Sequence, residues 1–303
     1  MSARISVVVL THNRVDEATR TVAHLLALPE RPPIIVADNG STDGTVVALR
    51  RRFPEIDVVE CDGNLGAAGR NVAAGRAHTE YIAFSDDDTQ WAPGSLEEAV
   101  RVLDAAPDVA VLSGKVLVGD AGQLDPTCVL MSESPLSRAG LPGPALVGFM
   151  AGACVFRASA FRAMGGYEPH LFIGGEEELL SLDLLDAGHA IVYCGTIAVT
   201  HRPSSTRDAP LRRLMLARNA AIVAWLRLPA SEAIVRTWRA LAVFVRERRL
   251  AARAWPFLRD IGWALKRRRA VGAPVLAMRR RVLDAQRGAG AALAFQPREG
   301  GGR

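Results

Sequence analysis

The sequence lacks the features by which several classes of protein are recognised. Its four cysteines are far apart and form no Cys-x-x-Cys pair, so we expect reduced thiols rather than a disulfide framework or a zinc site. It has no window of about 18 uninterrupted apolar residues, and the apolar stretch near Met1 is too short for a secretory leader. Because both membrane signals are missing, we expect a cytoplasmic chain.

Two phosphate-binding patterns are also missing after the first predicted strand. The chain reads THNRVDEA there, without the Gly-x-Gly-x-x-Gly that brings a backbone close to a dinucleotide pyrophosphate, which argues against a dinucleotide-binding oxidoreductase. A nucleotidyltransferase would normally carry a Gly-rich, basic loop at the same place. That class stays an alternative, because it shares the sheet and the metal-binding aspartates discussed below.

Apolar residues, by contrast, are plentiful: they make up 49% of the 303 residues, which suits a globular domain with an appendage. The formal net charge of +5 conceals a division. Residues 1–204 hold 15 basic and 26 acidic side chains, a net charge of −11, whereas residues 205–303 hold 22 basic and 6 acidic, a net charge of +16. We therefore expect two parts that face different partners or each other.

Short β-branched runs alternate with amphipathic stretches over the acidic part. The strand patterns are ISVVVL, PPIIVAD, IDVVEC and EYIAFSD, and the helical patterns between them are RVDEATRTVAHLLAL, TVVALRRRF and AAGRNVAAGRAH. This cadence predicts an α/β fold with a doubly wound, mostly parallel sheet. We expect a further strand over 147–157 and a long loop over the site at 119–146. Residues 205–303 read as helices followed by a disordered tail from 287.

In a sheet of this kind, ligands bind beyond the carboxyl ends of the strands. Every predicted strand exit in this chain is polar. The candidate binding residues at these exits are Thr11, Asn13, Arg14, Asp38, Asn39, Asn64, Asp86, Asp87 and Asp88.

The three aspartates of FSDDDTQW repel one another unless a cation offsets their charge. On a solvated loop they would be only a charged surface, but at a strand exit hard oxygen ligands select Mg²⁺ or Mn²⁺. Alternation along extended backbone would turn Asp86 and Asp88 to one side and Asp87 to the other. His201 follows the last predicted strand, where it would join the metal site and favour Mn²⁺.

A third acidic run, Glu176–Glu178, follows two glycines and opens a predicted helix. Carboxylates at a helix N-terminus are favoured by the helix dipole, so capping alone would explain them. The glycines permit close approach of another molecule, and a carboxylate there could equally serve as a general base.

Seven motifs taken together resemble a known family. In chain order they are SVVVLTHNR, ADNGSTDGT, GNLGAAGRNVAAG, AFSDDDTQWAPG, GACVFRASAFRAMGGYEP, GGEEELLSLDLLDAG and VTHRP. Each motif is weak by itself, but their order and spacing resemble the family 2 nucleotide-sugar glycosyltransferases, which have the GT-A fold. The resemblance covers residues 4–204, with a weaker echo in LARNAAIVAW.

The resemblance implies inverting transfer of a sugar from a nucleoside diphosphate to an acceptor hydroxyl. Thr11, Asn13 and Arg14 would lie beside the nucleoside. Asp38 would accept a hydrogen bond from the base, Asp87 would reach the ribose, and Arg70 would contact the base or the diphosphate. The family's metal-binding Asp-x-Asp falls on Asp86 and Asp88, and His201 matches a histidine that completes the metal site in some members.

The same resemblance implies the catalytic base, with one departure. The family usually has a Glu-Asp pair at a helix start, and alignment back from LLDAG places Glu176 on the glutamate and Glu177 on the aspartate. Glu177 is therefore the expected base, one methylene longer than usual, and Glu176 and Glu178 are alternatives. Because of this departure, a non-catalytic module that binds sugar nucleotides also stays open.

The sequence leaves the partners open. The donor would be a UDP-, dTDP- or GDP-sugar, and the acceptor a polysaccharide, a lipid-linked glycan or a small natural product. The basic region would either pack on the acidic domain or, through tryptophans set among arginines, bind an anionic membrane surface. Nucleic acid is not expected, because no recognised binding motif accompanies the charge.

Overall fold

The computed structural model describes residues 3–203 and 209–294, in which nine strands form one sheet. The strand order is β3-β2-β1-β4-β8-β6-β9-β5, with β7 paired to β6. The strands are β1 (Ile5–Thr11), β2 (Ile34–Asp38), β3 (Asp57–Glu60), β4 (Tyr81–Asp86), β5 (Thr89–Trp91), β6 (Val109–Val118), β7 (Gln123–Leu124), β8 (Ala153–Arg157) and β9 (Ala190–His201).

Helices cover the sheet and continue beyond it. They are α1 (Val15–Leu26), α2 (Thr45–Arg52), α3 (Gly69–Arg76), α4 (Ser95–Ala105), α5 (Pro126–Ser132), α6 (Ala158–Ala163), α7 (Glu176–Asp186), α8 (Ala209–Arg227), α9 (Ala230–Arg246), α10 (Leu250–Lys266) and α11 (Ala273–Ala294). In α1 the buried residues Ala18, Thr21, Val22 and Leu25 follow helical spacing, so one stripe faces the sheet.

The first four strands form the predicted parallel unit. β1 pairs in parallel with β2 and β4, and β2 with β3. Val7, Val8 and Val9 are completely buried, because helices cover both faces of a parallel sheet and its central strands then read as continuous apolar runs. The predicted α/β class is thus confirmed.

The other half of the sheet is mixed, which the strand pattern did not reveal. β8 is antiparallel to both β4 and β6, whereas β6 and β9 are parallel. A helical crossover between β6 and β8 would make the two strands parallel. The chain instead runs through 119–152 and enters β8 from the opposite end, so the strands are antiparallel.

Two predicted segments need correction. The strand expected over 147–157 forms only at β8, after a glycine-containing stretch without regular structure. The expected loop 119–146 contains β7 and α5, whose start is capped by Asp125 accepting from the Thr127 amide at 2.8 Å, with Pro126 at the first helical position. Both start signals are present in the sequence and were overlooked.

The C-terminal helices pack on the acidic helix α7. Arg227 binds Asp183, Arg236 and Arg279 bind Glu178, and the Gly272 amide donates to the Asp186 carboxylate at 2.7 Å. Opposite charges of the two parts are therefore paired across this contact. None of the helices in the described ranges has the length and apolarity to span a bilayer.

The predicted disordered tail began at residue 287. The backbone of α11 is helical to Ala294, so the prediction was wrong for 287–294. Residues 295–303 lie outside the described part of the chain.

Candidate functional site

The candidate site lies where β1, β2 and β4 end at the same edge of the sheet. The register places Thr11 beside Asp38, and Leu10 beside Asp86. After Asp86 the chain turns over two residues into β5, which is antiparallel to β9 and places Thr89 opposite His201. Residues from four strands therefore meet at one crevice, as expected for an open α/β sheet.

Asp87 is held by the end of β1. Its carboxylate accepts from the Thr11 hydroxyl at 2.9 Å and from Arg14 Nη1 at 2.8 Å, and its backbone carbonyl accepts from the Thr21 hydroxyl at 2.7 Å. Burial raises the pKa of Asp87 to about 6, although Arg14 and Thr11 act in the opposite direction.

The predicted alternation of the three aspartates was wrong. Arg14 contacts both Asp87 and Asp88, at 2.8 and 3.5 Å. The reason is that Asp87 and Asp88 form the turn between β4 and β5, and the two-residue period applies only to extended backbone.

Asp86 pairs with Arg70 instead of facing Asp88. Arg70 is buried and donates to the Asp86 carboxylate through Nη2. Burial opposes the charge on Arg70, but the carboxylates of Asp86 and Glu177 hold its pKa above the ordinary value. A Cβ at Gly152 would lie 2.6 Å from Asp86 Oδ2, so only glycine leaves Asp86 in this position.

Asp88 and His201 face each other. His201 Nε2 is 3.6 Å from Asp88 Oδ1, and the Arg202 amide donates to the Asp88 carbonyl at 2.9 Å. Two ligand atoms at about 2.1 Å from one ion are about 3 to 4 Å apart, so these residues fit a shared cation. Within residues 3–203 and 209–294, no group of three or more His, Cys, Asp or Glu side chains is arranged as a metal site.

A buried glutamate, Glu176, and a half-buried one, Glu177, begin α7. Burial first, and then the charge of Glu177, raise the pKa of Glu176 to about 8. Burial also raises the pKa of Glu177, whereas Arg70 and a hydrogen bond with Glu176 lower it. Both carboxyl groups therefore hold a proton more readily than an ordinary glutamate. A raised pKa suits a general base that works near neutral pH.

The third glutamate has a different role. Glu178 accepts from Arg236 through both oxygens, at 2.9 and 3.0 Å, and from Arg279 at 3.0 Å. Glu178 is only one residue after Glu177 in α7, but this step around the helix directs its side chain to the C-terminal helices. The structure therefore separates Glu178 from the two glutamates that share the crevice.

The exit of β2 presents two buried oxygen atoms that the described residues leave unpaired. Asp38 accepts from the Ser41 amide through Oδ2, and Asn39 donates to the Gly66 carbonyl through Nδ2, both at 2.8 Å. Asp38 Oδ1 and Asn39 Oδ1 are buried without a partner in the described ranges. Buried polar atoms are normally satisfied, so these two suit a ligand with hydrogen-bond donors.

Asn13 and Asn64, the other candidates, accept hydrogen bonds from backbone amides of the loops that follow β2 and β3. Asn13 Oδ1 accepts from the Thr42 amide at 2.7 Å, and Asn64 Oδ1 accepts from the Gly66 amide at 2.9 Å. Thr21 and Asn219 were missed. The Asn219 signal is visible in LARNAAIVAW, as an amide within an otherwise apolar helical stretch.

The fold and the site define a glycosyltransferase of the GT-A fold. The chain belongs to the family described as Glycosyl transferase family 2, whose family model matches residues 6–164, just over half of the chain. This finding confirms the resemblance stated from the motifs.

Curated relatives agree with this class. The N-acetylglucosaminyl-diphospho-decaprenol L-rhamnosyltransferase of Mycobacterium tuberculosis is 28% identical over 247 residues, which cover 69% of this chain and 80% of the relative. The succinoglycan biosynthesis protein ExoU of Rhizobium meliloti is 29% identical over 255 residues, covering 77% and 73%.

Solved structures support the fold. The mannosyltransferase PcManGT from Pyrobaculum calidifontis, in complex with GDP-Man and Mn2+, has a TM-score of 0.59 at 20% identity, covering 97% of this chain and 81% of that one. S. aureus TarS 1-349 in complex with UDP-GlcNAc has a TM-score of 0.55 at 18% identity, covering 79% and 73%.

Proposed function

We propose that this glycosyltransferase moves a sugar, with inversion and with the aid of Mn²⁺ or Mg²⁺, from a nucleoside diphosphate to an acceptor hydroxyl. One observation carries the proposal. The buried Arg70 pairs with Asp86 of the Asp-x-Asp sequence, and its pKa also responds to the Glu177 carboxylate. The Arg70 guanidinium would thus interact both with the residue expected near the diphosphate, Asp86, and with the proposed base, Glu177.

Each group then has a chemical task. Asp38 and Asn39 offer oxygens to the nucleoside, and Asp87 stays anchored by Thr11 and Arg14 at the ribose side. Arg70 offsets the charge that develops on the departing diphosphate. Glu177 takes the proton of the attacking hydroxyl on the opposite face of the sugar, which gives inversion.

A divalent cation held by Asp88 and His201, with Asp86 as a further ligand if it leaves Arg70, would supply Lewis-acid stabilisation of the diphosphate. The donor set of carboxylate oxygens and one imidazole suits Mn²⁺, and Mg²⁺ less well. An ion held by so few side chains keeps positions open for phosphate oxygens, which is usual in diphosphate chemistry.

The relatives suggest the substrates. The Mycobacterium tuberculosis relative is named as an L-rhamnosyltransferase, and its name describes N-acetylglucosamine joined to decaprenol through a diphosphate. We therefore propose a deoxyhexose such as rhamnose on dTDP as the first donor to examine, and a lipid-linked glycan as the acceptor class.

A panel of UDP-, dTDP- and GDP-sugars with Mn²⁺ tests the function. We expect one donor to raise the melting temperature, because a ligand that binds only the folded state stabilises it, and the same donor to release its nucleoside diphosphate. Release of pyrophosphate would indicate a nucleotidyltransferase. Binding without any turnover, with acceptors of all three classes present, would indicate a binding module and contradict the proposal.

We also propose that the C-terminal helices rest on an anionic membrane surface. Trp238 in α9 and Trp255 in α10 are 68% and 70% exposed, and exposed arginines such as Arg239 and Arg259 lie next to them in the helices. Exposed aromatic rings among basic side chains favour an anionic interface. Such a position would bring the crevice close to a lipid-linked acceptor.

Flotation with liposomes tests this contact. The protein is expected to float with vesicles that contain an anionic phospholipid and to stay behind with neutral vesicles. The double variant Trp238→Ser, Trp255→Ser is expected to float less under the same conditions, with an unchanged melting temperature. Flotation that depends on neither the anionic lipid nor the tryptophans would leave only the packing role for these helices.

A further inference from the structure

The segment that leads into α7 has an irregular backbone. Phe172, Gly174 and Gly175 all have positive φ, at 60°, 84° and 89°. A chain in this conformation cannot form the repeating hydrogen bonds of a helix or a strand, so its carbonyls need other donors. The segment ends at Glu176 and Glu177, and its backbone therefore determines where those two carboxyl groups lie.

One side chain of the C-terminal region supplies the donors. Asn219, in α8, is completely buried. Its Nδ2 donates to the carbonyls of Leu171 at 2.6 Å, Ile173 at 3.0 Å and Gly174 at 2.6 Å. Since an amide has two N–H groups, at least one of them is shared between two carbonyls, and three backbone positions are tied to a single atom.

The orientation of this amide is set by its neighbour. Arg218 Nη1 donates to Asn219 Oδ1 at 2.6 Å and to the His170 carbonyl at 3.2 Å, while Arg218 Nε donates to Asp260 Oδ2 at 2.7 Å. The oxygen of the amide thus faces a guanidinium and the nitrogen faces carbonyls. The reverse orientation would place donor against donor and acceptor against acceptor.

The segment also reaches both sides of the crevice. Gly174 and Gly175 lead directly into Glu176, the first residue of α7. The Phe172 carbonyl accepts from the Ala67 amide at 2.6 Å, in the turn that precedes α3 and Arg70. A Cβ at Gly66 would lie 2.0 Å from that carbonyl, so the two turns are in direct contact.

We infer that Asn219 is a positioning residue for transfer: it holds the turn at 171–174 and thereby sets the Glu176–Glu177 pair against Arg70. This role rests on the proposed function, because it assumes that Glu177 is the base. It assigns the basic C-terminal region a part in the reaction, although none of its side chains needs to touch the sugar. A displacement of about 1 Å at a reacting group is enough to cost about 10²-fold in rate.

The variant Asn219→Asp tests the inference, because it keeps the shape of the side chain and removes both N–H donors. We expect kcat to fall by about 10- to 100-fold, with less than about a threefold change in the KM for the donor. The pH–rate profile is expected to shift, since the environment of the glutamate pair changes. Backbone amides of residues 171–178 are expected to exchange faster with deuterium.

Arg227→Gln is the matched control. It also removes a contact between α8 and α7, the pair of Arg227 with Asp183, but at the far end of α7. It is expected to lower the melting temperature while leaving the pH–rate profile and the exchange at 171–178 as in the wild type. If Asn219→Asp does not fold, Arg218→Gln is expected to show the same changes to a smaller degree, because it keeps both amide donors but removes the guanidinium that orients the amide and binds Asp260 and the His170 carbonyl.

The possible outcomes distinguish failure of the positioning role of Asn219 from failure of the proposed function. Wild-type kcat, pH–rate profile and exchange in a folded Asn219→Asp protein, or in Arg218→Gln where that variant replaces it, would overturn the positioning role. A wild-type protein that transfers no sugar would overturn the proposed function. In that case, deuterium exchange in Asn219→Asp would still test whether Asn219 stabilises the turn. Unchanged exchange of the amides of 171–178 would refute this stabilisation, and faster exchange would support it.

Discussion

Replacing Glu177 by glutamine is expected to leave donor binding intact and to lower kcat for sugar transfer by about 10² to 10⁴-fold. Glutamine keeps the size and polarity of the side chain but cannot accept the proton of the attacking hydroxyl. In the proposed function, donor binding depends on other groups, such as Asp38 and Arg14. The measurements are nucleoside diphosphate release in the presence of acceptor and the thermal shift caused by the donor.

Asp186→Asn is the control on the same helix. Asp186 accepts from the Gly272 amide at the other end of α7, and asparagine keeps an acceptor oxygen there, so turnover is expected to stay close to that of the wild type. Full turnover by the Glu177→Gln variant would show that Glu177 is not the general base.

Glu176, next to the proposed base, is expected to make the free energy of unfolding depend on pH. Because burial raises the pKa of Glu176 from its ordinary 4.5 to about 8, the folded chain keeps a proton over this window that the unfolded chain has lost. The free energy of unfolding therefore falls as the pH rises from about 4.5 to about 8, and the contribution is complete only below that window. Denaturant titrations of Glu176→Gln are expected to lack this component of the pH dependence.

Removal of divalent cations by EDTA is expected to lower transfer by about 10²-fold or more, and Mn²⁺ is expected to restore it. Asp88 and His201 face each other, whereas Asp86 is paired with Arg70. Phosphate oxygens are therefore needed to complete the coordination. For this reason Mn²⁺ together with a nucleoside diphosphate is expected to raise the melting temperature more than either does alone.

A pair of variants sharpens this expectation. Asp88→Asn weakens one ligand, so about 10- to 100-fold more Mn²⁺ should be needed for half-maximal activity. Asp120→Asn removes an exposed carboxylate that pairs with Arg202 at the surface, and the Mn²⁺ requirement should stay unchanged. Transfer that resists EDTA would separate Asp86, Asp88 and His201 from any metal role.

The sequence was most informative where local rules govern the structure. β-branched runs between amphipathic stretches indicated the parallel strands, and the polar residues at their exits do meet at one edge. Local rules failed at Asp87 and Asp88, where a turn of two residues replaces extended backbone. They also failed for β8, whose direction depends on the path of the whole chain through 119–152.

The contacts between the two charged parts were predictable only in outline. Opposite net charges indicated that the parts face either different partners or each other, and Glu178 does bind Arg236 and Arg279. Periodicity could not show that Glu178 binds these arginines while the charge of Glu177, one residue earlier, acts on Arg70. Nor could it show that an amide in α8 reaches three carbonyls about 45 residues earlier in the chain, because that contact exists only in the folded protein.

The ion pairs between α7 and the C-terminal helices have a consequence for inheritance. Glu178 and Asp183 each bind arginines from helices far along the chain, and the same α7 carries the glutamates of the crevice. A hybrid that joins the first part of one relative to the last part of another would mismatch these pairs. We therefore expect hybrids joined outside this contact to fold more often than hybrids joined across it.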